Sequence, residues 1–462
     1  MSSQPREAAL GALLDSGHVH RSVKAELRTN LLSRLKSGES RFPGIVGFDE
    51  TVLPHVERAL LAGHDLVLLG ERGQGKTRLI RTISGLLDEW SPAVEGCEIN
   101  DHPYAPVCSR CIRLAAEAGN DMPVVWRHRE ERYAEKLATP DTSVGDLIGD
   151  VDPIKVAQGR TLGDPETVHY GLVPRTNRGV FAVNELPDLA ERIQVALLNV
   201  LEERDVQIRG YNLRLPLDVL LIASANPEDY TNRGRIITPL KDRFGAEIRT
   251  HYPLSLDTEI DLIEQEAELV AETPRHLLEV IARFTRFVRE SKAVDARSGV
   301  SARFSIAAVE TVAAGAARRA AITGEETAVA RVADLPATVP SLMGKVEFEV
   351  SEEGREQEVL EHLLRRAVAE TFRRRLGGAD LSGLLDRFDE GESVEVGELV
   401  AAPDLLTRLG PVRGLAKIMS ALDLEGESPG QAAAAIEFAL EGLYLTRRLS
   451  KDVSGDGSTY RL

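Results

Sequence analysis

At 462 residues the chain is longer than one hydrophobic core usually organises, and at about 150 residues per domain it suggests two to four domains. Apolar residues make up 43% and charged residues 28%, which excludes wholesale disorder, and a formal charge of −17 disfavours a broad nucleic-acid or anionic-membrane footprint. No apolar run approaches the roughly 18 residues of a membrane span. The first residues lack a basic stretch followed by an apolar one, and three cysteines are too few for a disulfide scaffold, so a cytoplasmic protein without a membrane span is expected.

In chain order, residues 6–38 are rich in Ala, Leu, Arg and Glu without proline and read as one or two helices, ended by Phe42-Pro43-Gly44. From there to about residue 255, short apolar runs alternate with helical patterns, the signature of an α/β domain with a parallel sheet. Leu66–Leu69, residues 180–183 and residues 219–223 read as buried strands, and residues 124–126 as a weaker fourth. Beyond Pro253 the pattern turns helical. Thr273-Pro274 reads as a cap and first-turn proline, followed by Leu277, Leu278, Ile281, Phe284 and Val288 on one face. Residues 386–397 read as a linker before a last helical segment, and residues 453–458 as a frayed tail. The expected domains are an N-terminal helical segment 1–41, a nucleotide-binding α/β domain 42–255 with a Cys-containing insertion at about 91–121, a helical lid 256–376 and a helical extension 377–462.

Gly70-Glu71-Arg72-Gly73-Gln74-Gly75-Lys76-Thr77 fits G-x-x-x-x-G-K-[ST], directly after a strand and before a helix starting near Arg78. Glycines let the backbone curl so that successive N–H groups face phosphate oxygens at a helix N-terminus, where the dipole favours anions. Lys76 would reach the β- and γ-phosphates of ATP, and the Thr77 hydroxyl would ligate Mg²⁺. A phosphate loop alone does not hydrolyse; a second strand must deliver acids to the metal and the water. Residues 179–185 form an apolar strand ending Asn184-Glu185, in which Glu185 could orient or deprotonate water and Asn184 stands at the metal. Asn184 offers an oxygen but no negative charge to Mg²⁺. The strand ending Ala225-Asn226-Pro227 places a polar group at the carboxyl edge of the sheet, where open α/β sheets bind ligands, although Asn-Pro also simply starts turns.

Taken together, these elements resemble the AAA+ ATPases, and more closely the group containing the I subunit of magnesium chelatase, over roughly residues 42 to 310. The resemblance implies that Gly44-Ile45-Val46-Gly47 lines an adenine pocket with Ile45 and Val46, that Glu185 is the catalytic glutamate and that Asn226 is sensor one. Residues 144–152 and 171–179 resemble the group's helix insertion. Residues 206–215 resemble its hairpin, which also reads independently as two short alternating strands about a turn. Leu240-Lys241-Asp242-Arg243-Phe244-Gly245 is similar to the arginine-finger segment, which gives Arg243 to a neighbouring subunit's γ-phosphate, with Arg233 and Arg235 as rivals. Ser301-Ala302-Arg303 is similar to the start of the lid helix and gives Arg303 to the nucleotide, although a single helix arginine is more often solvated or ion-paired.

Two features depart from that pattern: Asn184 stands where most such strands carry Asp, and residues 91–121 hold all three cysteines. Cys97, Cys108 and Cys111 with His102 between them offer four N/S ligands for a structural Zn²⁺, and a redox pair or buried idle thiols fit the same residues. Arg373-Arg374-Arg375 and Arg447-Arg448 read as solvated faces. The function expected is an Mg²⁺-dependent ATP hydrolase working as a homo-oligomeric ring, commonly of six subunits, that remodels or activates a partner protein. In the chelatase group that partner carries an integrin-like metal-binding domain, and remodelling of the MoxR type fits equally. A nucleotide-gated scaffold with little turnover, because of Asn184, and a DNA-acting ring, because helicase subunits carry a similar hairpin, stay open. The loop that marks sigma-factor activators, Gly-Ala-Phe-Thr-Gly-Ala, is absent from the sequence.

Overall fold

The alternation of apolar runs with helices builds a five-stranded parallel sheet in the first of two units, Met1–His251; the second unit is Tyr252–Leu462. The computed structural model describes residues 3–462 except 153, 155–156, 158–166, 204–205, 209–210, 214, 228–234, 296–298, 390–392, 425, 427 and 455–456. Strands in the first unit are β1 (Leu66–Leu69), β2 (Trp90–Val94), β3 (Val124–His128), β4 (Tyr133–Leu137), β5 (Gly149–Val151), β6 (Val168–Tyr170), β7 (Gly179–Asn184), β8 (Val206–Ile208), β9 (Tyr211–Leu213), β10 (Val219–Ala225) and β11 (Ala246–Arg249). The main sheet runs β11-β1-β10-β7-β4, and every pairing in it is parallel, so all five carboxyl ends lie on one edge.

The three central strands are buried along their whole length because helices cover both faces. Side chains divide between those faces with a period of two. Val67, Leu69, Phe181, Val183, Leu221 and Ala223 enter one apolar cluster; Leu66, Leu68, Val180, Ala182, Leu220 and Ile222 enter the other. The second cluster also takes Val23, Leu27 and Leu31 from the N-terminal helix Val23–Ser37. That helix is further held by Glu26, whose carboxylate takes two hydrogen bonds from the buried Arg132 guanidinium at 2.8 and 2.7 Å.

The predicted strand at 124–126 forms, but as β3, antiparallel to β2 and outside the parallel sheet. The two outer strands of that sheet, β4 and β11, have the sequences YAEKL and AEIR, which mix polar with apolar residues because edge strands are half solvated. β8 and β9 pair as the predicted hairpin, and Arg209, Gly210 and Arg214 lie outside the described residues.

The second unit is helical around one apolar core that runs from Ile260 to Tyr460. Helix Arg275–Glu290 starts one residue after the expected proline, with Pro274 itself in the cap position, and it buries Leu277, Leu278, Ile281, Phe284 and Val288. Arg375 is not a free surface charge: it pairs with Glu279 and with Asp423, the latter at 2.8 Å. Between the helices, the fully buried Arg319 pairs with Asp334, and Arg331 pairs with Glu437 at 3.0 Å. The expected linker and frayed tail are corrected by a three-stranded antiparallel sheet, β12 (Val394–Gly397), β13 (Ser450–Ser454) and β14 (Gly457–Arg461), in the order β12-β14-β13. Its anchor is the buried Tyr460, whose hydroxyl donates to Glu441. Among the described residues no helix is long and apolar enough to cross a membrane.

Removing either partner of the Glu26–Arg132 pair strands a buried charge. Glu26→Ala is therefore expected to destabilise the first unit by about 3–5 kcal/mol in denaturant titrations. In the second unit His276 is buried against Phe438, with ring centroids 4.7 Å apart. Burial, and then the nearby Arg375 charge, push its pKa down to about 3, with Asp423 opposing. The unfolded chain takes up a proton below its ordinary pKa of about 6.5 that the folded chain refuses. Stability is thus present above about pH 6.5 and falls by about 1.4 kcal/mol per unit as the pH drops toward 3. His276→Leu should flatten that slope when denaturant midpoints are compared between about pH 4.5 and 7.

Candidate nucleotide site and cysteine cluster

β1 ends at Leu69 and the chain turns at once: Gly70 donates its N–H to Ala225 O of β10 at 3.1 Å, and helix Lys76–Ile83 begins after Gly75. Gly73 and Gly75 adopt φ of 73° and 76°, a left-handed backbone that side chains disfavour, so these glycines permit the curl that aims the loop N–H groups inward. Lys76 is buried, and its ammonium donates to the carbonyls of Gly70 and Glu71, the latter at 2.9 Å, which holds the charge at the mouth of the loop. Gln74 is buried too, and its Oε1 accepts from Thr250 Oγ1 at 2.7 Å. Thr250, just past β11, fastens the loop to the neighbouring strand and was not foreseen, since an isolated Thr after an edge strand carries no motif. A Cβ at Gly70 would run into both Thr250 Oγ1 and Gln74 Oε1.

The carboxyl edge brings the second half of the site together. Thr77 Oγ1, on the first turn after the loop, lies 3.5 Å from Asn184 Oδ1 at the end of β7. Ser224 Oγ donates to the same Asn184 oxygen at 3.3 Å and accepts the Glu185 N–H at 3.2 Å. Glu185 is held at φ 55°, ψ 49°, a left-handed conformation that costs a non-glycine residue roughly 1–2 kcal/mol and that here turns the chain sharply off the strand. Asn226 is buried directly after β10, the strand lying between β1 and β7. Ser224 is the residue that motif reading passed over. Its signal was its place two positions before Asn226 on the middle strand.

Gly44 adopts φ 77°, and the Arg78 guanidinium reaches it from the P-loop helix, so that a Cβ there would lie 2.9 Å from Arg78 Nη2. Ile45 and Val46 follow it, half-buried, between the buried Phe42 and Phe48. Arg243 closes helix Thr238–Arg243 and pairs with Glu202 at 2.6 Å; both side chains are exposed. Two residues on, Gly245 N donates to Asp65 O and Ala246 pairs with Leu66, which places Arg243 at the amino edge of the sheet, opposite the loop. Arg235 gives its carbonyl to Gln194 Nε2 at 3.2 Å, and Arg233 lies outside the described residues. Arg303 is exposed in the first turn of helix Ala302–Thr323 in the second unit, its N–H capped by Ser301 Oγ.

A separate cluster forms beside the β2–β3 hairpin. Cys97, Cys108 and Cys111 are buried and unbridged, and with Asp101 they offer four ligand atoms within 4.8 Å of one another. The expected fourth ligand, His102, is corrected to Asp101. His102 Nδ1 accepts the Tyr104 N–H at 3.0 Å, and the ring packs on His18 and His20 with centroids 5.6 and 4.0 Å away. Burial, and then the Arg178 charge, hold its pKa down at about 2. Hydrogen bonds from Cys108 and then Cys111 draw the Cys97 thiol down, while burial, and then Cys97, raise the Asp101 carboxyl.

Comparisons with known proteins find similarity over parts of the chain. Residues 160–243 match the family model described as the Sigma-54 interaction domain. The magnesium-chelatase 38 kDa subunit of Cereibacter sphaeroides is 29% identical over 231 residues, 48% of this chain and 62% of that subunit. The magnesium-chelatase subunit ChlI of Guillardia theta is 30% identical over 235 residues, 49% of this chain and 62% of that protein. ChlI of a Nostoc species is 27% identical over 242 residues, covering 51% and 61%. The similarity to magnesium-chelatase I subunits extends over about half of this chain. The chain spans about three fifths of the length of these relatives.

The crowding at Gly70 is open to a direct check. Gly70→Ala should destabilise the first unit by about 1–3 kcal/mol in denaturant titrations, and adding Thr250→Ala should recover part of the loss.

Proposed function

We propose that this chain is an AAA+ protein that binds Mg·ATP and hydrolyses it in a ring of its own copies, six in the form typical of its relatives, to remodel or activate a partner protein. The observation that carries the reading is the junction of Thr77, Asn184, Ser224 and Glu185 at the carboxyl edge, one strand away from the phosphate loop. The loop N–H groups and Lys76 bind the triphosphate. Thr77 Oγ1 and Asn184 Oδ1 are hard oxygen donors of the kind Mg²⁺ takes, and Mg²⁺, when bound, neutralises charge on the β- and γ-phosphates. Glu185, held off the strand by its left-handed backbone, orients the attacking water and receives its proton. Asn226 positions that water from the middle strand. Ile45 and Val46 face the adenine, next to Arg78.

Arg243 cannot serve the loop of its own chain from the opposite edge of the sheet, which favours a role toward a neighbour's γ-phosphate. The partner, by analogy with the chelatase group, carries an integrin-like metal-binding domain. The neutral Asn184 favours a second reading, a scaffold that ATP binding assembles without appreciable turnover.

Phosphate release and nucleotide binding, measured side by side, separate the two. Lys76→Ala is expected to lose ATP binding. Glu185→Gln should keep binding but lose about 10²–10⁴ in turnover, and Arg243→Ala about 10³–10⁵. Mixing the Glu185→Gln and Arg243→Ala proteins should restore part of the activity, because each supplies what the other lacks at a shared site. Wild-type turnover equal to that of Glu185→Gln would leave the scaffold, and unchanged ATP affinity in Lys76→Ala would overturn both.

A further inference from the structure

Asp101 is fully buried among three thiols, and its Oδ1 has no hydrogen-bond partner. Its other oxygen accepts the N–H groups of Val107 and Cys108 at 3.0 and 2.9 Å, so the carboxylate is fixed with one oxygen idle beside the sulfurs. A buried carboxylate oxygen without a partner is costly unless a cation or donor meets it. The backbone is arranged for charge on sulfur as well. The Asp101 N–H points at Cys97 Sγ at 3.3 Å, and the Cys111 N–H at Cys108 Sγ at 3.4 Å, where Cys108 caps helix Ser109–Ala118. Amides directed at sulfur in this way orient thiolate ligands.

We infer that Cys97, Asp101, Cys108 and Cys111 bind one structural Zn²⁺. Four ligand atoms around a tetrahedral ion, about 2.3 Å from sulfur and 2.0–2.2 Å from oxygen, stand roughly 3.3–3.8 Å apart. The observed set, all within 4.8 Å, closes on that geometry by small side-chain rotations. Three soft sulfurs with one oxygen select zinc over Mg²⁺ or Ca²⁺, and binding displaces the thiol protons.

The ion reinforces the join between the turn 97–101 and the start of helix Ser109–Ala118, already bridged by the Asp101 carboxylate, and the turn is bonded to the segment that leads into β7. Asn177 Nδ2 donates to Ile99 O at 3.0 Å, Asn100 Nδ2 to Arg175 O at 2.9 Å, and Arg178 Nη1 to Asn100 O at 3.3 Å. The zinc thus staples the insertion to the base of the strand that ends in Asn184 and Glu185. The site stands whether or not the chain hydrolyses ATP.

The test uses the full chain purified without chelator. Metal analysis should find about one zinc per chain in wild type, in Lys76→Ala and in His102→Ala, and almost none in the Cys108→Ser/Cys111→Ser double variant. Asp101→Asn should bind zinc at least tenfold more weakly in competition with a chromophoric chelator. Wild type stripped of metal and titrated with Co²⁺ should develop thiolate-to-cobalt charge transfer and tetrahedral visible bands, a readout that does not depend on the serine variants folding. Wild type that holds no zinc and develops no such bands would overturn the assignment, as would full zinc in the double serine variant. A zinc content lost in His102→Ala but kept in Asp101→Asn would return the fourth position to histidine and overturn the ligand set.

Discussion

Strand register is the constraint on which the candidate site depends. β10 lies between β1 and β7, with Ala223 opposite Val183 on one side and Ser224 opposite Leu68 on the other. That alignment brings Ser224 to Asn184 and Glu185, and it lets Ala225 receive the Gly70 N–H where the phosphate loop departs. A slip of one residue would exchange every side chain between the two apolar clusters and carry the Ser224 hydroxyl to the wrong face. The register is therefore secured by the packing of both faces, and the polar junction follows from it without further adjustment.

The parts of this arrangement that could be read from the sequence are those in which one short stretch carries both the structure and the chemistry. LVLL followed by Gly70 to Thr77 specifies strand, loop, ammonium and hydroxyl within a dozen positions. VFAVN followed by Glu185 does the same for the second strand. What stayed hidden depends on residues far apart in the chain. β4 and β11 face solvent on one side and so have no apolar run to announce them. Thr250 matters only because β11 lies beside β1. The sheet β12-β14-β13 is built from turn-rich, polar segments whose apolar content is concentrated in Tyr460 and a few valines, and only the fold brings Glu441 to that tyrosine.

The cysteine cluster shows the same limit at closer range. Residue type alone pointed to His102 as the fourth donor, since histidine is what commonly joins sulfur at zinc. The chain turns between the two, however. The Asp101 carbonyl accepts the Val94 N–H, and its carboxylate is turned toward the sulfurs by the amides of Val107 and Cys108. His102 is turned the other way, onto His18, His20 and Tyr104. Adjacent residues in an extended turn point in opposite directions, and that parity, invisible in a list of spacings, decides which side chain meets the thiols.

The Arg243–Glu202 pair bears on how such a protein would respond to its own abundance. An arginine already neutralised by a carboxylate on its own surface must exchange that partner for a neighbour's phosphate before it can act across a subunit boundary. Exposed ion pairs of this kind are weak, of order 1 kcal/mol or less, and weaken further with salt. Under the proposed reading the exchange is cheap once copies meet, yet a solitary copy keeps its guanidinium occupied. Specific activity would then rise with protein concentration and fade on dilution, so that expression level itself works as a control input.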